Sequence, residues 1–244
     1  MASERGRVII GIDGRCAAGK TTLAGELCRQ LEAGVIALDH FFLRPNQRTI
    51  ERLAQPGGRV DWERFNSEVL PDLLAGEPVS YRPYDCQRET LGEPINVPNT
   101  AITIVEGAYA LHPHLADIYD FSLFLDVDEP TQRQRLMARS PALLDRFLDD
   151  WIPAEEAYFQ HFAIMARADR VSQLALLMVP AWRNTLIHRF IAATRRQIGA
   201  LAALTTLDRR PACLRRCRLA ITPIWRRSRR EQSVDQGNIV AKPS

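Results

Sequence analysis

The sequence predicts an α/β protein: a three-layer α/β/α sandwich around a parallel central sheet, followed by a basic C-terminal extension. Three observations predict it. Short apolar runs alternate with segments of helical spacing through the first 170 residues, the pattern of βα units whose sheet is covered on both faces. Gly14-Arg15-Cys16-Ala17-Ala18-Gly19-Lys20-Thr21 has the form G-x-x-x-x-G-K-T and stands between the first apolar run and the first helix. Charge divides along the chain: residues 1–170 carry 18 Lys+Arg against 26 Asp+Glu, and residues 171–244 carry 14 against 3.

Each element follows from its pattern. Residues 7–12 are a short apolar run, read as a buried strand, and residues 22–31 place Leu23, Leu27 and Leu31 on one helical face. Residues 35–39 form a second strand that ends on Asp39. Residues 44–59, with Pro45, Pro56, Gly57 and Gly58, read as a long loop, a kind that often carries function. Residues 61–74 read as one helix capped by Asp61, with Phe65, Val69, Leu70, Leu73 and Leu74 on its apolar face. Residues 78–97 are a small β excursion bearing Tyr81-Arg82-Pro83-Tyr84-Asp85. Residues 101–107 and 121–127 are the third and fourth core strands, residues 130–139 a short arginine-bearing helix, and residues 143–168 a helical stretch broken near Pro153. Two domains result: residues 1–171 around the glycine loop, and an Arg-rich extension, 172–244, partly helical (187–204) or disordered. Its abrupt composition fits either a basic extension or the product of a reading-frame change.

Composition narrows the function classes. No apolar run is long enough for a transmembrane helix. The first residues lack the apolar core of a signal peptide, so a cytoplasmic location is expected. Five cysteines form no disulfide framework, and Cys213-x-x-x-Cys217 has no second Cys/His pair to complete a metal site. His40, His112, His114 and His161 lack metal-ligand spacing and read as packing or surface residues.

Strand, glycine loop and helix in that order make a phosphate cradle. Glycines let backbone N–H groups turn inward, and the helix start adds partial positive charge. Gly14, Arg15, Cys16, Ala17, Ala18, Gly19, Lys20, Thr21 and Thr22 would hold ATP. Lys20 would reach the β- and γ-phosphates, and the Thr21 hydroxyl would ligate Mg²⁺. The chain uses thirty arginines and two lysines, yet places a lysine where this motif requires a compact ammonium. Cys16 lies beside Lys20 and the helix start, a setting that lowers a thiol pKa. Phosphoryl transfer also needs an acceptor-orienting group and a metal. Asp39, at the carboxyl rim of the sheet, can accept a hydroxyl proton or hold Mg²⁺, and Glu106 stands where a Walker B acid would. Arg133, Arg135 and Arg139 can close over the transferring group, and Asp85, beside Tyr84 and Arg88, can grip acceptor hydroxyls.

Gly11-Ile12-Asp13-Gly14, Asp39-His40-Phe41-Phe42, Tyr84-Asp85, Val105-Glu106-Gly107 and the arginine helix together resemble the P-loop kinases that include uridine kinase, phosphoribulokinase and bacterial pantothenate kinase. The likeness runs from about residue 7 to 170. It is strongest to smaller bacterial uridine kinase-like proteins, through Phe41-Phe42-Leu43-Arg44-Pro45, Tyr81-Arg82-Pro83-Tyr84-Asp85-Cys86 and Trp151-Ile152-Pro153-Ala154-Glu155-Glu156. The resemblance implies Asp39 as catalytic base, Thr21 and Glu106 as magnesium ligands, and Arg135 and Arg139 as lid arginines. It places Asp85 on the ribose hydroxyls, with Phe42, Tyr84 and Arg88 beside the substrate. Cys86-Gln87-Arg88-Glu89-Thr90 departs from the pattern: it is shorter than the base-reading loop of uridine kinases and lacks its histidine.

The expected activity is ATP-dependent phosphoryl transfer to a small-molecule hydroxyl, foremost the 5′-hydroxyl of a nucleoside. The competing expectations are another acceptor (a nucleoside monophosphate, pantothenate-like compound or sugar phosphate) or a nucleic-acid-associated P-loop ATPase using the basic tail. The tail lacks interleaved aromatics, so nucleic acid is the weaker expectation. No membrane partner is expected, and a homo-oligomer is compatible with the sequence.

Overall fold

The computed structural model describes residues 7–173. The expectations for the arginine-rich extension beyond them, including its helix and the Cys213/Cys217 pair, lie outside the described residues. From the N-terminus run β1 (Val8–Gly14), α1 (Lys20–Leu31), β2 (Gly34–Ala37), α2 (Ile50–Leu53), α3 (Trp62–Glu68) and α4 (Leu70–Ala75). Then come β3 (Val79–Tyr81), β4 (Tyr84–Asp85), β5 (Thr90–Leu91), β6 (Ile95–Val97), β7 (Ile102–Glu106), α5 (Pro113–Ala116) and β8 (Phe121–Asp126). The described chain closes with α6 (Glu129–Arg139), α7 (Leu144–Arg146), α8 (Ile152–His161), α9 (Ile164–Arg167) and β9 (Arg170–Gln173).

Five strands form one parallel sheet in the order β2-β7-β1-β8-β9. Alternation along the strands divides the core into the two layers of a sandwich. Val8, Ile10, Ile12, Ile104, Leu123 and Leu125 pack with Leu23 and Leu27 of α1 on one face. Ile9, Ile36, Val105 and Phe124 face the other way, against Phe65 of α3, Leu73 of α4, Leu115 of α5 and Tyr158 and Phe159 of α8. The excursion is two antiparallel ribbons, β3 with β6 and β4 with β5.

Three sequence expectations are corrected. The single helix over 61–74 is two helices, because Pro71 lacks the N–H to continue α3 and fits instead in the first turn of α4. Asp61 does cap α3, accepting the Arg64 N–H at 3.0 Å. The stretch over 143–168 does not break at Pro153: a π-helical turn, Phe147–Trp151, leads directly into α8, and Pro153 occupies its first turn. The break comes later, at Ala163, whose φ of 50° is left-handed. Asp39 is not on β2 but in a 3₁₀ turn, Leu38–Phe41, just beyond it. At the end of the described residues, β9 pairs in parallel with β8.

Candidate phosphoryl-transfer site

The loop after β1 is shaped from both ends. Gly14 has φ 136°, and a Cβ there would collide with the backbone of Leu125 on the adjoining strand, so only glycine fits. Gly19, at φ 100°, starts α1. Beneath the loop, the fully buried Asp13 carboxylate accepts Gly14 N–H at 2.7 Å, Leu111 N–H at 2.9 Å and the Tyr158 hydroxyl at 2.9 Å. Burial raises its carboxyl pKa, against the pull of Lys20 and these three donors. Lys20 Nζ turns back on the loop, donating to Gly14 O at 2.6 Å and Arg15 O at 3.1 Å. Its ammonium therefore lies where an incoming phosphate would exchange for carbonyl oxygens.

The outer half of the loop is gripped by later elements. Arg15 pairs with Asp126 at 2.8 Å and with Glu156. Gln132 Nε2 donates to Cys16 O at 3.0 Å, and Arg135 Nη1 donates to Ala17 O at 2.9 Å. Cys16 N–H donates to Glu155 Oε2 at 3.0 Å. The Cys16 thiol does not have the lowered pKa its position predicts: burial, and then the Glu155 charge, push it up to about 12.

Two carboxylates stand opposite the loop. Glu106 ends β7, almost fully buried, and Thr21 Oγ1 donates to it at 3.3 Å. Burial and then Asp39 raise its carboxyl pKa to about 7, while Lys20 and Thr21 pull it down. Asp39 Oδ1 accepts the Ala108 N–H at 2.9 Å. Gly107 makes that approach possible: its φ is 141°, and a Cβ there would come within 2.7 Å of Asp39 Oδ1. The 3₁₀ turn is anchored from behind by Arg64, which lies over the Phe41 ring at 4.4 Å and donates to His40 O. Of the histidines read as packing or surface residues, His40 Nδ1 meets the Tyr81 hydroxyl at 3.0 Å, while the exposed His114 stacks on Trp62 at 3.9 Å.

These groups surround a cleft of about 1260 Å³. Single-ligand pockets run from about 300 to 1,000 Å³, so this one has room for two small molecules side by side. Of the sequence-predicted residues, Cys16, Ala17, Ala18, Gly19, Lys20, Thr21, Thr22, Asp39, Phe42, Arg135 and Arg139 line it. Gly14, Arg15 and Glu106 sit directly behind that lining, through the contacts given above. Tyr84, Asp85 and Arg88 do not line it. Asp85 Oδ1 closes its own turn, accepting the Gln87 N–H at 2.8 Å and the Arg88 N–H at 3.1 Å. The Tyr84 hydroxyl receives Arg48 Nη2 at 3.2 Å, and the Arg88 side chain is exposed.

Sequence reasoning missed Glu155, Tyr109, Arg59, Asp150 and the shelf of Phe147 and Trp151, all of which line the cleft. Phe147 and Trp151 pack edge to face at 4.5 Å, Arg139 lies over the first at 5.7 Å and Arg146 over the second at 4.9 Å. The signal was present in part, because Glu155 and Trp151 belong to the Trp151–Glu156 stretch singled out for its resemblance. The Thr21 hydroxyl and Glu106 carboxylate are hard oxygen donors beside the cradle. They suit Mg²⁺, which keeps several waters and takes its other ligands from phosphate. Among the described residues no group of three or more His, Cys, Asp or Glu side chains could hold a metal ion unaided.

Uridine kinases of three staphylococci match this chain. The Staphylococcus haemolyticus protein is 30% identical over 139 residues, covering 54% of this chain and 67% of the relative. The chain belongs to the uridine kinase-like P-loop kinases. The Staphylococcus epidermidis uridine kinase is 29% identical over 140 residues, covering 54% of this chain and 67% of the relative. A Staphylococcus aureus counterpart is 28% identical over 152 residues, covering 59% and 73%. No family model matches the chain. Among solved structures, a possible uridine kinase from Bacillus stearothermophilus superposes with a TM-score of 0.52 at 23% identity, covering 68% of this chain and 88% of that one. That likeness shows the fold: a parallel sheet with flanking helices, as the uridine kinase-like sequence predicts. No helix among the described residues is long and apolar enough to cross a membrane.

Proposed function

We propose that this kinase transfers the γ-phosphoryl group of ATP to the 5′-hydroxyl of a nucleoside. The observation that carries the reading is the joining of a Walker A loop and an anchored carboxylate, Asp39, across one two-ligand cleft. Lys20 and the loop N–H groups hold the donor phosphates. Arg135 and Arg139 face the cleft from α6, where they offset the charge of the transferring group. Asp39 accepts the hydroxyl proton as the acceptor attacks phosphorus and the bridging oxygen leaves with ADP. Bound Mg²⁺, held through Thr21 and Glu106, would supply charge neutralisation on the β- and γ-phosphates.

Charge on the acceptor side favours an uncharged acceptor over a phosphorylated one. Arg48 is engaged by Glu89 at 3.3 Å, and Arg59 by Asp150. Arg44 faces Asp61 at 3.8 Å, and Arg82 donates to Gly92 O at 2.8 Å. Arg48 and Arg59, which line the cleft, are thus already engaged by acids, and Asp39 adds a further negative charge. The relatives named uridine kinase support a nucleoside. The test is Mg²⁺-ATP consumption across nucleosides, nucleoside monophosphates, pantothenate and ribulose 5-phosphate, with Lys20→Ala as control. Nucleoside-dependent turnover that the variant loses is expected; turnover with only a phosphorylated acceptor would overturn the reading.

A further inference from the structure

Glu155 has no part in the transfer chemistry just described, yet it is built into the phosphate cradle. It exposes 6% of its surface, and its Oε2 accepts the Cys16 N–H at 3.0 Å. The adjacent Glu156 holds Arg15 from outside, with Asp126 on the same guanidinium. Two consecutive glutamates of α8 thus fix the loop whose N–H groups meet a polyphosphate. The titratable groups facing Glu155 are Lys20 from α1, Cys16 from the loop, Asp13 from β1, Asp39 from the turn after β2, and Tyr109 after β7. Lys20 alone among them is cationic.

From this geometry we propose that Glu155 is a positioning residue of the nucleotide site, and that it takes one proton from solvent onto its carboxylate each time a nucleoside triphosphate binds. The proposal rests on the reading of the loop as the phosphate-donor site. In the free site Lys20 offsets the Glu155 charge. A bound polyphosphate draws the Lys20 ammonium to itself and adds negative charge in the same cleft. The carboxylate is left buried without a counter-charge, which drives it to its neutral form. The neutral carboxyl still accepts the Cys16 N–H through its carbonyl oxygen, so the loop keeps its shape. Burial already holds the group at about 7 in the free protein, so neutral pH is where the coupling operates.

Isothermal titration of the full chain with Mg²⁺-ATP at pH 8, in two buffers of different ionisation heat, counts the protons taken up. Wild type should take up about one proton more per ATP than Glu155→Gln. Only a deprotonated fraction near nine-tenths at pH 8, against one-tenth at pH 6, stands between the carboxylate and binding. The wild-type Kd should therefore weaken about tenfold more than that of Glu155→Gln between these pH values. Comparison with Glu155→Gln removes the titration of ATP itself and of Glu106, which both proteins share. A folded Glu155→Gln that binds ATP with wild-type proton uptake overturns the proposal, as does wild-type binding without proton uptake at pH 8. ATP affinity unchanged in Lys20→Ala refutes the donor-site reading and the proposal with it.

Discussion

Gly107→Ala tests how Asp39, the proposed catalytic base, is placed. Gly107 follows β7 with φ 141°, and a Cβ would stand 2.7 Å from Asp39 Oδ1 and 3.0 Å from Asp39 N. Ordinary contact begins at 3.4 Å, so the carboxylate must retreat by about 0.7 Å. That retreat would stretch the Ala108 N–H bond, now 2.9 Å, to about 3.6 Å, beyond hydrogen-bonding range. Misplacing a reacting group by about 1 Å costs up to about 10²-fold in rate, so a kcat loss between about tenfold and a hundredfold is expected. The left-handed backbone adds about 1–2 kcal/mol of destabilisation in a non-glycine residue, a fall of a few degrees in Tm. The Walker A loop is untouched, so ATP affinity should hold. Steady-state transfer kinetics, calorimetric ATP binding and a thermal melt read the three quantities separately. Unchanged kcat in a variant that melts normally would refute the idea that Gly107 sets the position of Asp39.

Tyr158→Phe removes one of three donors to the buried Asp13 carboxylate and should destabilise the fold by about 1–3 kcal/mol in urea unfolding; a change under about 0.5 kcal/mol would contradict the role given to that hydroxyl. Arg135→Ala removes the hold on Ala17 O and a positive charge over the cleft, so kcat should fall by about ten- to a thousandfold, read by single-turnover transfer. Glu106 and Glu155 are both held up to about 7 by burial, above their ordinary 4.5. Between those values the folded chain binds more protons than the unfolded chain, so their contribution to stability is full below 4.5 and is lost as pH rises through 7. A Glu106→Gln/Glu155→Gln double variant should accordingly gain Tm relative to wild type, by more at pH 8 than at pH 5; an equal difference at both pH values would contradict the sign.

Much of the fold was legible because the core strands are apolar runs bounded by glycine or acid, and because Lys20 and its flanking glycines have one well-defined use. The helix over 61–74 was misread because apolar spacing continues across Val69 and Leu70 although Pro71 removes a bond from the helical ladder. Asp85 shows a different limit. A turn aspartate and a ligand-gripping aspartate have the same sequence, and only the structure shows its oxygen closing on the Gln87 and Arg88 N–H groups. The place of Glu155 in the cradle was not legible for a third reason, although its stretch was singled out. A glutamate on a helix reads as solvated, and its burial comes from a loop 139 residues earlier in the chain. The raised Cys16 pKa follows from the same unseen contact: the Glu155 carboxylate opposes what Lys20 and the helix start would do alone.

The most direct test of the central claim is γ-phosphoryl transfer from labelled ATP to uridine and other nucleosides by wild type and Asp39→Asn, with ATP affinity measured on both. The account predicts a nucleoside 5′-phosphate from wild type, and loss of transfer with intact ATP binding in Asp39→Asn. Full transfer by Asp39→Asn, or no nucleoside product from a wild-type chain that binds ATP, would contradict it.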